Sequence, residues 1–215
     1  MARLTVSCII PVYNQKEILR QAVISARPQC SEVLIIDDGS SEAVNMFIDR
    51  VYVVRSDSNQ GVVQARNVGI KMATSDLILP LDADDTLFFD AVDTLTNLYQ
   101  PGHFVYGDWV EWDGGESRYV KAPPIGMIGN KNVAKATFLF SREDALKVGG
   151  YHSDFELGGE DWAFMLALLQ AGVKPIYVNK PILNYTVSDT GRAAKTFSRR
   201  EIVYKRLREH YGEVM

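Results

Sequence analysis

The chain is poor in cysteine and histidine and has no long apolar run. Among its 215 residues only Cys8 and Cys30 are cysteines. That is too few for a disulfide scaffold or for a zinc site of spaced C-x-x-C pairs, so both are expected to be reduced. The longest apolar run, Trp162 to Leu169, has eight residues, against the roughly 20 that a spanning helix needs. Met1 to Pro11 lacks the apolar core and cleavage site of a secretory leader. The expectation is a soluble, cytoplasmic chain, at most peripheral to a membrane. Neither G-x-G-x-x-G nor G-x-x-x-x-G-K-[ST] occurs, which argues against dinucleotide dehydrogenases and P-loop enzymes. The net charge of −4 gives no global attraction to nucleic acid.

What is present is a 47% hydrophobic, 23% charged composition, enough to bury one substantial core. The first hundred residues alternate short apolar runs with helix-period stretches, which predicts βαβ units on a mostly parallel sheet. Thr5 to Val12 reads as a strand. Asn14 with Glu17 then resembles a helix cap and its capping-box partner, and Ile18, Leu19, Ala22, Val23 and Ala26 give the helix a buried face. Glu32 to Ile36 predicts a second strand, stopped at Asp37-Asp38-Gly39-Ser40, where glycine permits a tight turn and Ser40 or Ser41 is placed to cap a following helix. Val51 to Val54 predicts a third strand, Val62 to Met72 a helix, Asp76 to Leu81 a fourth strand and Thr86 to Tyr99 a helix. Beyond Pro101 the pattern is mixed. Short strands are expected at Phe104 to Tyr106, Val110 to Trp112 and Arg118 to Lys121, then an all-round apolar, hence buried, helix at Trp162 to Gln170 and a strand at Lys174 to Val178.

The acids fall at strand ends. In open α/β sheets ligands sit outside the carboxyl ends of the strands, where Asp37, Asp38, Asp82, Asp84 and Asp85 are expected. Carboxylates gathered there repel. Either some stay protonated or a hard dication such as Mg²⁺ or Mn²⁺ neutralises them. The same strings also suit turns and helix caps. At the other end, Arg192 to Arg208 carries seven basic residues against the single acid Glu201. This segment reads as a packed amphipathic helix through Phe197, Tyr204, Leu207 and Tyr211, as a lid, or as a docking surface for phosphate.

Five segments in order, IIPVYN at 9–14, IIDDGS at 35–40, NQGVVQARNVGI at 59–70, LPLDADD at 79–85 and GGEDWAF at 158–164, resemble the family 2 glycosyltransferases of the GT-A fold. The resemblance implies an α/β catalytic domain over residues 1–190. Its nucleotide-sugar half is 1–100 and its acceptor half 101–190, followed by a basic segment at 191–215. It implies inverting transfer from a nucleoside-diphosphate sugar, a UDP-sugar by family habit, to a hydroxyl on a glycan, lipid-linked glycan, protein or modified nucleic acid. Pro11, Tyr13, Asp37, Asp38, Asn59, Gly61, Arg66 and Asp82 would then meet the donor nucleotide, and Asp84 would hold Mn²⁺ or Mg²⁺ at the diphosphate. Asp161, beside Glu160, would be the general base. Trp162 and the segments 107–135 and 151–157 are placed toward the acceptor. Many members carry a histidine after the last strand, whereas Asn184 to Arg192 has none. Ser188 or Asp189, with Arg192 or Lys195, are the residues available in its place. A sugar-1-phosphate nucleotidyltransferase is the second reading, weakened by the lack of a glycine-rich basic loop after the first strand. A non-catalytic nucleotide- or glycan-binding module is the third.

Overall fold

The computed structural model describes residues 4–188 and 199–212. Its chain order begins β1 (Val6–Val12), α1 (Lys16–Ala26), β2 (Glu32–Asp37), β3 (Val51–Arg55), α2 (Val62–Met72), β4 (Leu77–Pro80), β5 (Thr86–Leu87) and α3 (Ala91–Leu98). It continues with β6 (His103–Trp112), β7 (Ser117–Val120), β8 (Phe140–Ser141), α4 (Arg142–Lys147), α5 (Glu160–Gln170), β9 (Lys174–Thr186) and α6 (Arg200–Tyr211). Single 3₁₀ turns lie at Ile125–Met127 and Ser153–Phe155.

The apolar runs of the first half are buried on both faces, as parallel strands covered by helices must be: every residue of β1, β2 and β4 is buried. The first sheet has the order β3-β2-β1-β4-β8, parallel except for β8. Because β2 lies on one side of β1 and β4 on the other, strand order reverses at β1/β4, and a crevice opens there beyond the carboxyl ends. Pro11-Val12-Tyr13 and Leu81-Asp82-Ala83-Asp84 are the two chain segments that emerge at that point. The second sheet, β5-β9-β6-β7, carries the mixed half.

Several expectations are corrected. No side chain caps α1. Asn14 takes a left-handed φ of 54° and its amide oxygen accepts from the Ser41 backbone instead. Ile18 is 44% exposed, so the buried face is Leu19, Ala22, Val23 and Ala26 alone. Residues 41–50 form no helix, and the Ser40 hydroxyl accepts from the Asn14 N–H. The stretch from Thr86 begins with a strand paired to Leu183 and Asn184, and its helix is only Ala91–Leu98. Residues 104–112 form one strand with register shifts at Gly107/Asp108 and Asp108/Trp109, and β9 runs on to Thr186.

The helix α2 is pressed close to β1. A Cβ at Gly69 would lie 2.4 Å from Ile9 Cγ2, and Ile9 is 1% exposed with no room to retreat. Gly69→Ala is therefore expected to destabilise the protein by about 1–3 kcal/mol through overpacking, despite the better helix propensity of alanine. An unchanged urea-unfolding midpoint would mean that this contact is loose.

Candidate active site

A cleft of about 1000 Å³ opens at the β1/β4 switch point. Pro11, Tyr13, Asp38, Asn59, Gly61, Arg66, Asp82, Asp84, Glu160, Asp161, Trp162 and Ser188, all singled out from sequence, line it together. Arg192 and Lys195 lie outside the described residues. Asp37 and Asp85 do not line it. The Asp37 carboxylate is wholly buried beneath the turn, where it accepts from the Ser40 and Val44 N–H groups and from Arg55, its cross-strand neighbour on β3, at 2.5 Å. Asp85 is buried and accepts from the Thr186 N–H at 2.8 Å, tying the end of β9 to the loop after β4. The expected crowd of five carboxylates is thus three at the cleft wall, with the other two holding loops.

The wall is built by side chains gripping backbone. Asp38 accepts from the N–H groups of Gln60 and Gly61 at 2.8 and 2.7 Å, drawing the segment before α2 over the end of β2. Gly39 makes this possible: its φ is +72°, and a Cβ there would fall 2.5 Å from the Ser58 backbone. Glu156 reaches from the far half of the chain to accept from Val62 and Val63 N–H at 3.0 and 3.1 Å, satisfying the orphan donors at the start of α2. Asn67 clamps Tyr151 with a reciprocal pair of bonds, both 2.8 Å.

At the centre lies Arg66, 1% exposed. Its guanidinium donates to Asp82 Oδ1 at 2.6 Å and to Glu160 Oε1 at 2.8 Å, and it sits 5.4 Å from the Tyr151 ring centroid. Burial opposes its charge, but the two carboxylates hold its pKa well above the ordinary guanidinium range. This one residue joins the loop after β4 to the start of α5. Glu160, expected beside the base, is thereby one of the groups that fix Arg66.

Asp161 occupies the first turn of α5, accepting from Asn132 Nδ2 at 2.9 Å and from the Trp162 N–H at 2.8 Å. Burial, then the neighbouring Glu160 charge, raise its pKa to about 6, with Arg66 opposing. Asp84 is also raised, by burial and by Asp82. Trp162 is 6% exposed and donates its indole N–H to the Ile128 carbonyl at 2.6 Å, so it anchors the 125–134 segment beneath Asp161 as well as lining the cleft. Gly159, with φ +79°, brings α5 against α6, where a Cβ would meet Val203 at 2.5 Å.

Some residues lining the cleft carry no motif. Lys135 lies 3.5 Å from the Tyr185 ring centroid and 5.2 Å from that of Trp109, with Glu111 at 3.7 Å. Burial lowers its pKa. Asn132, Glu156, Tyr185 and Tyr204 complete the wall. Asn132, Lys135 and Glu156 do fall in the variable segments 107–135 and 151–157. Residues Arg200–Tyr211, within the basic tail, form a helix with Val203 and Leu207 buried, and Arg200, Val203 and Tyr204 face the cleft. No helix among the described residues is long and apolar enough to cross a membrane.

Comparison with known proteins places this arrangement. A protein of Haemophilus influenzae described as an uncharacterized glycosyltransferase is 29% identical over 95% of this chain and 76% of its own length. A second from the same organism is 30% identical over 77% of the chain and 72% of its own length. Among solved structures, Staphylococcus aureus TarS (residues 1–349) superposes with a TM-score of 0.69 at 15% identity, covering 97% of this chain and 72% of TarS. Its complex with UDP-GlcNAc gives 0.70 at 16% identity, covering 89% and 61%. The GT-A fold is thus shared. The family profile described as Glycosyl transferase family 2 matches residues 7–162, from the first strand of the sheet to the tryptophan after Asp161, so the chain belongs to glycosyl transferase family 2.

Proposed function

We propose that the protein transfers a sugar from a nucleoside diphosphate sugar, a UDP-sugar, to a hydroxyl acceptor with inversion of the anomeric centre. The observation that carries this reading is the meeting, in one cleft at the strand-order reversal, of the Asp82/Asp84 pair with Asp161, a buried carboxylate whose pKa of about 6 suits a base at neutral pH. The UDP-GlcNAc held by TarS, which has the same fold, supports the choice of donor.

Pro11, Tyr13, Asp38, Asn59 and Gly61 form the side of the cleft assigned to base and ribose, with Asp82 at the ribose. Asp84 is the residue assigned to a dication. The fit is chemical: the donors at this end of β4 are oxygens only, as Mg²⁺ and Mn²⁺ prefer, and Asp84, whose pKa is raised by burial and then by Asp82, lines the cleft. Such an ion supplies positive charge to the departing diphosphate. The chain's own residues do the rest. Asp161, held by Asn132 and the Trp162 N–H, takes the proton of the acceptor hydroxyl as its oxygen attacks the anomeric carbon from the face opposite the diphosphate. Arg66 keeps Asp82 and Glu160 at fixed separation. A nucleotidyltransferase reading gains no support, since no glycine-rich basic loop follows β1.

Calorimetric titration of UDP with and without Mn²⁺ tests the donor assignment. The expected result is metal-dependent binding that Asp84→Asn weakens by at least about tenfold, a loss of roughly 1.4 kcal/mol. Equal UDP affinity for the variant and the native protein would remove Asp84 from the site.

A further inference from the structure

Two of the protein's three histidines meet a single aspartate outside the cleft. His152 immediately precedes the 153–155 turn, Asp154 lies in it, and His210 is in the last turn of α6. Each side chain offers one ligand atom, and these atoms lie within 4.8 Å of one another. His210 Nε2 is 2.8 Å from Asp154 Oδ2, and His152 Nδ1 is 3.8 Å from the same oxygen. Tetrahedral Zn²⁺ with bonds of about 2.0–2.2 Å places neighbouring ligand atoms roughly 3.4 Å apart. The two spacings to Asp154 bracket that value, and the two histidine nitrogens, within 4.8 Å of each other, close by at most about 1.4 Å to reach it. His152 Nδ1 accepts a long 3.2 Å bond from the Asp154 N–H, a weak bond that a metal ligated at Nδ1 displaces.

We infer that His152, Asp154 and His210 form a binding site for a divalent transition cation, Zn²⁺ being the best match, with water as the fourth ligand. Two imidazoles and one carboxylate are a borderline-soft set, unlike the all-oxygen set at Asp82 and Asp84. The ion replaces the proton between His210 and Asp154. The adjacent cation Arg206, whose guanidinium bonds the Asp154 carbonyl at 2.5 Å, opposes binding and sets the affinity below that of a buried structural zinc. The site is also a clip. It joins α6, which carries Arg200, Val203 and Tyr204 to the cleft, to the turn that leads into Glu156 at the start of α2.

The test is titration of chelator-treated full-length protein with Co²⁺ and then Zn²⁺. One strongly absorbing Co²⁺ per chain is expected, with the visible band of a four-coordinate nitrogen and oxygen site that Zn²⁺ bleaches, whereas any Co²⁺ on the oxygen-only Asp84 site absorbs weakly. Zn²⁺ at about 100 times its Kd is expected to raise the unfolding temperature by roughly 5–10 °C. His210→Gln and His152→Asn, which keep side-chain bulk, are each expected to weaken Co²⁺ binding at least about tenfold while circular dichroism shows the fold retained, and Asp84→Asn is expected to leave it unchanged. Absence of the absorption band, its survival in the His152→Asn/His210→Gln double variant, or its loss in Asp84→Asn would each overturn the assignment.

Discussion

Asp161→Asn is expected to lower turnover by about 10²–10⁴-fold with little change in UDP affinity, because the substitution keeps size and polarity but removes the site that accepts the acceptor's proton. The pH dependence follows from the same group. The carboxylate must be ionised to act, and its pKa is raised to about 6 by burial and by Glu160. In the free protein kcat/KM should therefore fall tenfold per pH unit below about 6, and the variant should lose that limb. Stability moves the other way. Between the ordinary carboxylate pKa and about 6 the folded state holds a proton that the unfolded chain has released, so stability decreases as pH rises through this window. Removing the ionisable group should then stabilise the protein at pH 7 by about 1–3 kcal/mol. A less stable, fully active variant would contradict both the base assignment and the burial argument.

The second large effect is on stability. Arg66→Met is expected to cost about 3–5 kcal/mol, since removing one partner of a buried charge network leaves the others uncompensated. Here those others are Asp82 and Glu160, at 2.6 and 2.8 Å. For a chain of this size the unfolding temperature should drop on the order of 10 °C. Arg66→Lys restores one charge but not the two-pronged geometry, and should lie between. Were Met tolerated without loss, Arg66 would be a spectator and the coupling of the β4 loop to α5 would need another cause.

The local signals were strong where structure is local. The helix Val62–Met72 and the strands β1 and β2 are legible because their apolar periods match elements buried against immediate neighbours. Thr86–Leu87 was not. Its strand conformation comes from pairing with Asn184 and Leu183, about a hundred positions on, which no window around Thr86 contains. The β6 strand reads as two because Gly107-Asp108 interrupts its apolar run. The interruption is a bulge at which buried Asp108 finds the Ala122 N–H and the Tyr177 hydroxyl. Likewise Asn14 has the composition of a cap, but it instead binds the turn after β2.

At the site, the motif residues came together because short strings at strand ends survive any rearrangement of distant loops. Which of two adjacent aspartates faces the ligand is a matter of sheet register. Asp37 pairs across the strand with Arg55 and turns inward, leaving Asp38 at the cleft. Glu156 and Asn132 leave no comparable trace. Their partners, the Val62 and Val63 N–H groups and Asp161, are 94, 93 and 29 positions away.

The anomer released by the enzyme tests the central claim most directly. Proton NMR of an α-linked UDP-sugar incubated with the protein and Mn²⁺, water serving as the acceptor hydroxyl, resolves the first sugar formed before it mutarotates. The account predicts UDP and the β-anomer from the native protein, and neither at a comparable rate from Asp161→Asn. The α-anomer, or equal rates from both proteins, would contradict single displacement assisted by Asp161.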